Sequence, residues 1–251
     1  MVSTSDFEST EAAPPSRVAG LRQALIERIG ELRAGGVSKL PAERELMRSL
    51  ATTRITLRAT LGQLENEGLI YRESRRGWFV APPRLRYDLL AGIPFPEMVT
   101  SQQRRVATEV RSAARVAAPA NIAGRLGLAN GAPVIRIVRV RSVDGRRVVY
   151  VEHHLRPDCF PGILDFDLEA QSLTALYRHE YAIRIVEVTF ELGSTVFGGP
   201  AGEALRVAPG APAQRITRIN RDQHGRVVDC DDEYWRHDAI ELRLRAVPEP
   251  P

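Results

Sequence analysis

The chain has 251 residues, of which 43% are hydrophobic and 26% are charged. At about 100–200 residues per domain this length predicts two domains, each able to bury a core, and the composition excludes disordered, collagen-like and coiled-coil proteins. The formal net charge of +4 lies entirely in residues 1–86, which hold fourteen Lys and Arg against ten Asp and Glu, whereas the remainder holds twenty-one of each. A basic module joined to a neutral body is typical of a polyanion-binding protein, although so small an excess can also serve solubility alone.

Three helices are predicted after a polar tail, residues 1–16, that we expect to be disordered. Apolar residues at three- and four-residue spacing predict the first helix over residues 17–34. A second, short helix is predicted from Pro41 to about Leu50, since proline fits the first helical turn, where its missing N–H would be unpaired anyway. A three-residue turn follows and ends at Thr53, whose hydroxyl can cap the third helix. Two helices joined by so short a turn predict a helix-turn-helix.

A hairpin is predicted directly after the third helix. Residues 69–72 and 78–80 have the apolar, aromatic composition of strands, and they flank a basic tip that contains a glycine. Helices and hairpin together predict a winged helix-turn-helix domain over residues 17–80. The proline pair that follows predicts a linker over residues 81–90, and a second domain is expected over residues 91–247.

The second predicted domain contains an internal repeat at an offset of 79 residues. Residues 126–140 recur as residues 205–219, and each copy continues into a hairpin, the first turning at Asp144-Gly145 and the second at His224-Gly225. We therefore predict two related antiparallel units, each a small helix followed by a long hairpin, that share one sheet by approximate two-fold symmetry. Such a sheet can hold a ligand where its halves meet. The alternative is a stable α+β domain without a pocket.

Basic and hydroxyl side chains are concentrated on the helix-turn-helix and the hairpin tip. Arginine can bond a guanine edge at two points, and a helix N-terminus that carries threonines suits a phosphate. The third helix is therefore the candidate recognition helix in the major groove, and the hairpin tip would reach the minor groove. For each arginine taken singly, the alternative is a solvated helix face. The candidate DNA-binding residues are Arg44, Thr53, Arg54, Thr56, Arg58, Arg75, Arg76 and Gly77.

Two sets of motifs resemble known families. The first is made of residues 40–46, 54–58, 64–70 and 77–80, and the second of residues 148–155, 160–168, 229–231 and 235–240. The first set resembles the DNA-binding domain of the GntR family of bacterial transcription regulators. The second resembles the UTRA effector-binding domain of the HutC branch. Taken together with residues 53–58, 71–73, 76–80 and 82–85, the second set is similar more narrowly to regulators of 2-aminoethylphosphonate degradation operons. The resemblance implies an α+β protein with a chorismate-lyase-like α/β second domain, a homodimer on a palindromic operator of double-stranded DNA, and an effector related to 2-aminoethylphosphonate.

An effector that carries a phosphonate and an ammonium needs arginines or amides at one end and carboxylates at the other. Arg139 and Arg141 alternate on one predicted strand and therefore share a face, as do Asp229 and Asp231 on the last long strand. The alternative is a set of cross-strand ion pairs on an exposed face, each contributing about 0.2–1 kcal/mol. The resemblance implies effector contacts at Arg139, Arg141, Glu152, Ser172 and one acidic residue, for which Asp229 and Asp231 both fit.

We expect a cytoplasmic protein, because there is no apolar run of the roughly 18–20 residues that cross a bilayer and there are only two cysteines. We expect a transcription regulator without catalytic activity, cofactor or metal. His153 and His154 do not indicate a metal site, since adjacent strand residues point to opposite faces. Repression relieved by the effector is expected, with activation as the alternative. Two further alternatives remain: a sugar-phosphate, imidazole-acid or fatty-acid effector, or a lyase-like enzyme with a DNA-binding arm. Such an enzyme would need a His or Cys beside a base and an orienting partner.

Overall fold

The structure, a computed structural model, describes residues 17–73 and 76–244. Three parts of the sequence predictions lie outside the described residues: the tail over residues 1–16, the wing residue Arg75 and the end of the second domain over residues 245–247. The chain divides into two compact units between Ala81 and Pro82. Within the described ranges, no helix is long and apolar enough to cross a membrane.

The first unit is a winged helix-turn-helix, as predicted. Its elements are α1 (Arg17–Ala34), α2 (Glu43–Ser49), α3 (Arg54–Asn66), β1 (Ile70–Glu73) and β2 (Gly77–Val80). Apolar side chains of all three helices and both strands form one core. The turn between α2 and α3 contains Ala51 at a φ of +46°. Thr53 then caps α3, because its hydroxyl oxygen accepts a hydrogen bond from the backbone N–H of Thr56 at 3.3 Å.

The second unit is a six-stranded antiparallel sheet with short helices packed on it. The sheet strands are β4 (Val106–Ala117), β5 (Pro133–Val143), β6 (Arg146–Leu155), β7 (Ile185–Val196), β8 (Pro212–Asp222) and β9 (Val227–Arg236). The helices are α4 (Phe95–Thr100), α5 (Ala120–Leu126), α6 (Leu173–Glu180) and α7 (Gly199–Leu205). A separate parallel pair is formed by β3 (Leu85–Tyr87) and β10 (Ile240–Leu242). The α+β class and the antiparallel sheet agree with the prediction.

The sheet consists of two copies of one unit, which is the symmetry that the internal repeat predicted. The first copy is β4, α5, β5 and β6, and the second is β7, α7, β8 and β9. Because the strand order is β4-β5-β6-β9-β8-β7, the copies meet where β6 pairs with β9. The prediction missed β4 and β7. Both are edge strands. Small and charged residues interrupt the apolar alternation in β4, whereas residues 186–192 of β7 alternate apolar and polar, so that the signal for β7 was present in the sequence.

The predicted linker over residues 81–90 is wrong from Leu85 onward. β3 pairs with β10, and the N–H of Leu85 donates to the carbonyl of Ala239 at 2.8 Å. Leu85, Tyr87 and Leu89 are buried in the core of the second unit. The proline pair indicated an exposed connection, but the alternation of apolar and charged residues after it was the sign of a half-buried strand.

Candidate functional site

One face of the six-stranded sheet carries ionisable side chains at the junction of the two copies. Directly paired residues of antiparallel strands lie on the same face. His153, Asp231 and Arg218 pair in this way across β6, β9 and β8 and so form one row. The polar residues of this face are Arg139 and Arg141 on β5, His153 on β6, Arg218 and Asn220 on β8, and Asp229, Asp231 and Glu233 on β9.

These side chains line a cavity of about 390 Å³. Tyr177 of α6 and Ser172, the N-cap of that helix, line the cavity, as do Tyr87, the last residue of β3, and Phe95, the first residue of α4. Small-molecule sites of proteins occupy about 300–1,000 Å³. The cavity therefore has the size of a small-molecule site.

The end of the cavity formed by β5 is cationic. Arg139 is only 2% exposed, and its Nε and Nη2 find no hydrogen-bond partner in the part of the chain that the structure describes. Burial, together with the neighbouring charge of Arg141, lowers the pKa of Arg139 to about 10. The guanidinium carbon of Arg141 lies 4.8 Å from the centre of the Phe95 ring. Since a buried charge without a partner is costly, this end is suited to an anion.

Asp231 is the centre of the opposite end. Its Oδ1 lies 2.7 Å from Nδ1 of His153, and its Oδ2 lies 3.7 Å from Nε of Arg218. Burial lowers the pKa of His153 to about 4, against the attraction of Asp231. Burial alone would raise the pKa of Asp231, but the His153 hydrogen bond and the charge of Arg218 hold it at about 2. At neutral pH the site therefore contains a neutral histidine beside a carboxylate that stays ionised.

Asp229 is the carboxyl group of this face that titrates near neutral pH. The hydroxyl of Tyr177 donates to its Oδ2 at 3.0 Å. Burial and the neighbouring charge of Asp231 raise the pKa of Asp229 to about 7. Burial also raises the pKa of Glu233, whose Oε2 accepts a hydrogen bond from the indole N–H of Trp235 at 2.6 Å. A cation placed beside Asp229 would favour its ionised form.

The two ends differ in charge because the two copies of the repeat have diverged. Arg139 and Arg218 are equivalent positions, 79 residues apart, but Arg218 has more carboxylates around it: Asp231, Glu233 and Asp229 act on Arg218, and Asp231 alone of these three acts on Arg139. Although burial opposes it, the charges of Asp231, Tyr87 and Glu233 raise the pKa of Arg218. On this face the closing strand of the first copy presents Val149, Val151 and His153, and that of the second presents Asp229, Asp231 and Glu233. The cavity is therefore suited to a molecule that carries an anion at one end and a cation at the other.

The structure brings together five of the six predicted effector-binding residues: Arg139, Arg141, Ser172, Asp229 and Asp231 line the cavity. Glu152 does not line it. It pairs with Val138 and Asp232 on the opposite face, where its Oε1 accepts hydrogen bonds from Arg136 and from the Tyr150 hydroxyl, both at 2.8 Å.

A β-bulge determines the face on which Glu152 lies. A regular hairpin around Asp144-Gly145 would pair Arg139 with Tyr150, and Glu152 would then share the face of Arg139. The register instead shifts by one residue between Arg141 and Ser142, so that Arg139 pairs with Val151. A one-residue shift moves every following side chain to the other face.

The sequence prediction missed Arg218, His153, Asn220 and Tyr177 as cavity residues. The repeat contained the signal for two of them, because the 79-residue offset relates Arg139 to Arg218 and Arg141 to Asn220. No pattern in the sequence indicated Tyr177, whose position depends on how α6 packs on the sheet. Among the described residues, no group of three His, Cys, Asp or Glu side chains is placed to hold a metal ion.

The candidate DNA-binding residues lie on the exposed side of α2 and α3. Arg54 is exposed at the first position of α3, and Arg44 is exposed on α2. Arg58, one turn after Arg54, donates from Nε to Oε2 of Glu43 at 2.8 Å. Although burial opposes it, the hydrogen bonds from Arg58 and from the Trp78 indole lower the pKa of Glu43. Arg58 must therefore leave Glu43 before it can reach a base.

The remaining predicted residues have structural contacts as well. The hydroxyl groups of Thr53 and Thr56 are hydrogen-bonded to each other at 2.9 Å. In the wing, Arg76 pairs with Glu73, and its guanidinium carbon lies 5.3 Å from the centre of the Phe79 ring. Gly77 has a φ of +102°, a conformation that favours glycine over other residues.

Ile55 is an exposed apolar residue on the candidate recognition helix that the sequence prediction missed. It is 83% exposed and lies next to Arg54. An apolar side chain at this position can contact the methyl group of thymine in the major groove. The signal was available, since Ile55 lies outside the buried stripe formed by Leu57, Leu61 and Leu64.

A winged helix-turn-helix followed by a domain with a polar, ligand-sized cavity defines a class of DNA-binding regulators that respond to small molecules. Residues 18–80 match the model of the bacterial regulatory proteins of the gntR family, and residues 101–241 match that of the UTRA domain. The chain is 31% identical over 207 residues to an Escherichia coli K12 protein named as the uncharacterized HTH-type transcriptional regulator YihL, covering 81% of this chain and 86% of that protein. The chain belongs to the GntR family of transcription regulators with a UTRA domain.

Two further relatives cover nearly the whole chain. A probable fructoselysine utilization operon transcriptional repressor of Escherichia coli K12 is 25% identical over 228 residues, which cover 90% of this chain and 93% of that protein. The crystal structure of PhnF from Mycobacterium smegmatis has a TM-score of 0.64 at 24% identity and covers 91% of this chain and 100% of that one, which supports the fold. The family is regulatory, so the protein is a transcription regulator and not an enzyme, and the lyase-like alternative is excluded.

Replacing Asp229 with asparagine should stabilise the ligand-free protein, and the gain should depend on pH. Because the folded-state pKa of about 7 lies above the ordinary 3.8, the stability that the protonated group contributes is fully present below 3.8 and is lost as the pH rises through 7. Asparagine cannot ionise. The gain in Tm of Asp229→Asn over the wild type should therefore grow between about pH 4 and pH 7 and stay level above.

The matched control is Glu203→Gln, which removes an exposed carboxylate from α7. It should leave the pH profile of the Tm close to that of the wild type. A Tm difference between Asp229→Asn and the wild type that is constant across this pH range would show that the pKa of Asp229 is not raised.

Proposed function

We propose that the protein is a homodimeric repressor that releases a palindromic operator when a small zwitterion, 2-aminoethylphosphonate or a related phosphonate, enters the cavity of the second unit. The observation that carries this proposal is the distribution of charge in the cavity. Arg139 and Arg141 line the cavity from β5, and Asp229, Asp231 and Glu233 line it from β9, two strands away, where Arg218 of β8 pairs with Asp231. No simple anion or simple cation matches both ends.

The cationic end is suited to a phosphonate group. A phosphonate offers three acceptor oxygens, and the unpaired N–H groups of Arg139 can donate to them. The hydroxyl of Ser172, the N-cap of α6, makes no capping hydrogen bond and lines the same cavity. The N-terminal end of a helix also favours negative charge. An ammonium group at the other end of the ligand would face Asp229 and Asp231.

The alternative effectors fit the cavity less well. A sugar phosphate supplies the anion, but its neutral hydroxyl groups would lie opposite the carboxylates of β9. A fatty acid would bury its apolar chain against the charged side chains that line the cavity. The relative named as a probable fructoselysine utilization operon transcriptional repressor supports the sign of regulation. An imidazole acid carries both charges and is the second candidate.

The DNA would be read by α3. Arg54 and Ile55 are both exposed at its N-terminal end, where a recognition helix contacts base edges. In a dimer, two such helices read half-sites that lie about 34–36 Å apart or a multiple of this distance. A ligand that favours one arrangement of the two subunits would change how well both helices fit their half-sites.

The segment from Tyr87 to Phe95 gives the cavity a covalent connection to the first unit. It follows β3, whose first residue, Leu85, comes four positions after the unit boundary at Ala81. The rings of Tyr87 and Phe95 pack against Trp235 with centroids 5.7 and 6.0 Å apart. An anion that binds Arg141 would compete with the Phe95 ring for its guanidinium. Ligand binding would therefore weaken the contact between Arg141 and Phe95, and so the packing of the segment that leads back to the first unit.

Replacing Arg54 with alanine should weaken specific operator binding by about tenfold or more, since a base-contacting arginine contributes about 1–3 kcal/mol. Arg58→Ala should weaken it less, because Arg58 gives up its ion pair with Glu43 to reach DNA. The measurement is fluorescence anisotropy with the DNA upstream of the protein's own gene neighbourhood, at fixed salt. Arg28→Ala, on the exposed face of α1, is the control. Operator affinity unchanged in both α3 variants would show that another element reads the DNA.

Replacing Arg139 with glutamine should leave operator affinity intact but abolish the response to 2-aminoethylphosphonate. The wild type should gain about 2.7 kcal/mol of stability at 100 times the dissociation constant, and the variant should gain none. Phe95→Leu should still be stabilised by the ligand but should release the operator less completely, because it lacks the ring that contacts Arg141. An Arg139→Gln protein that is released normally by the ligand would place the effector site elsewhere.

A further inference from the structure

Selectivity against simple anions is a problem for any site built on buried arginines. Inorganic phosphate and sulfate are abundant in cells and bind arginine pairs through the same oxygens as a phosphonate does. We propose that Asp229 and Asp231 make the cavity reject inorganic phosphate and sulfate, so that an anion is admitted only when it carries a cationic group that faces these carboxylates. This proposal rests on the proposed function and assigns the determinant of its ligand specificity.

A buried cation forms the anion end of the cavity. Arg139 is 2% exposed, and its Nε and Nη2 have no hydrogen-bond partner in the described ranges. Nothing in the geometry of this end distinguishes a phosphonate from a free phosphate. The distinction must come from groups that the remainder of the ligand meets. On the neighbouring strands, the cavity is lined by His153 of β6 and by Asp231 and Asp229 of β9.

Asp231 supplies a negative charge that the protein cannot easily remove. It is bonded to His153 and lies 3.7 Å from Arg218, so that it stays ionised. The charge of Arg218 faces this carboxylate at 3.7 Å, so that the positive charge on this side of the cavity is offset by Asp231. A phosphate that reached the cavity without a cation would face Asp231 and the ionised fraction of Asp229 directly.

His153 points to the same requirement. An ionised carboxylate only accepts hydrogen bonds, so Nδ1 of His153 must be its protonated nitrogen, and Nε2 then carries a lone pair. Nε2 is buried and has no hydrogen-bond partner among the described residues. Its lone pair would repel a phosphate oxygen but can accept a hydrogen bond from an ammonium group. Histidine and carboxylates thus favour a donor at the same end of the cavity.

The test compares inorganic phosphate with 2-aminoethylphosphonate on the full chain by isothermal titration calorimetry at constant ionic strength. The wild type should bind 2-aminoethylphosphonate at least a hundredfold more tightly than phosphate. Asp231→Asn, which removes a full like charge several Å from the anion, should bind phosphate about ten- to a hundredfold more tightly than the wild type does. Asp229→Asn removes only the ionised fraction of a carboxyl whose pKa is raised, and its gain should be smaller but in the same direction. Both should also lose affinity for 2-aminoethylphosphonate.

Two control variants locate the effect. Glu203→Gln makes the same change of net charge on the exposed surface of α7, and it should leave phosphate affinity within about twofold of the wild type. Adding Arg139→Gln to Asp229→Asn should abolish the gained phosphate binding, which would place that binding in this cavity.

The proposal is overturned if the wild type binds phosphate nearly as well as 2-aminoethylphosphonate, or if both Asp→Asn variants fold and gain no phosphate affinity. Failure of the proposed function has a different signature. Suppose that 2-aminoethylphosphonate does not bind the wild type while both Asp→Asn variants gain phosphate binding that depends on Arg139. The named ligand is then wrong, but the proposal that Asp229 and Asp231 exclude phosphate stands. The opposite result is also informative. If 2-aminoethylphosphonate binds and makes the protein release the operator while neither Asp→Asn variant gains phosphate affinity, the proposed selectivity is wrong and the proposed function stands.

Discussion

The pairing of β6 with β9 is the interaction on which the second unit depends. It joins the two copies of the repeat into one sheet and sets His153 directly opposite Asp231. The same pairing places the cationic face of the first copy beside the acidic face of the second. Neither copy alone would make the cavity, because each supplies one sign of charge in excess. The cavity therefore depends on the different side chains that the two closing strands, β6 and β9, present on this face.

The ligand-free cavity is a costly arrangement that a bound effector would relieve. Arg139 is buried with unpaired donors, and Asp229 has a pKa of about 7 because of its burial and of Asp231. Buried charges without partners reduce the free energy of unfolding, and a ligand that pairs with them restores it. An effector whose charges pair with these groups would bind much more tightly to the protein conformation that allows the pairing than to one that does not. A shift between two conformations requires such a difference in affinity.

Much of the fold follows from local patterns in the sequence. The apolar stripes of α1 and α3, the short turn before Thr53 and the repeat with its two glycine turns were sufficient to predict the winged helix-turn-helix and the symmetry of the sheet. Alternation along β5 and β9 also correctly predicted which neighbours on one strand share a face. These features depend on residues that are close together in the chain.

The errors arose where a non-local or single-residue event decides the geometry. One bulge after Arg141 reverses the face of Glu152, and no composition rule indicates on which hairpin residue a bulge will fall. β3 belongs to the second unit because it pairs with β10, more than 150 residues later in the chain. Tyr177 reaches Asp229 only through the packing of α6 on the sheet.

A crystal structure of the protein with 2-aminoethylphosphonate tests the central claim most directly. The account predicts one ligand molecule in the cavity of each second unit, with phosphonate oxygens at hydrogen-bond distance from Arg139 and Arg141 and with the ammonium nitrogen beside Asp229. Density for the ligand outside this cavity, or inside it with the ammonium group towards Arg139, would contradict the account.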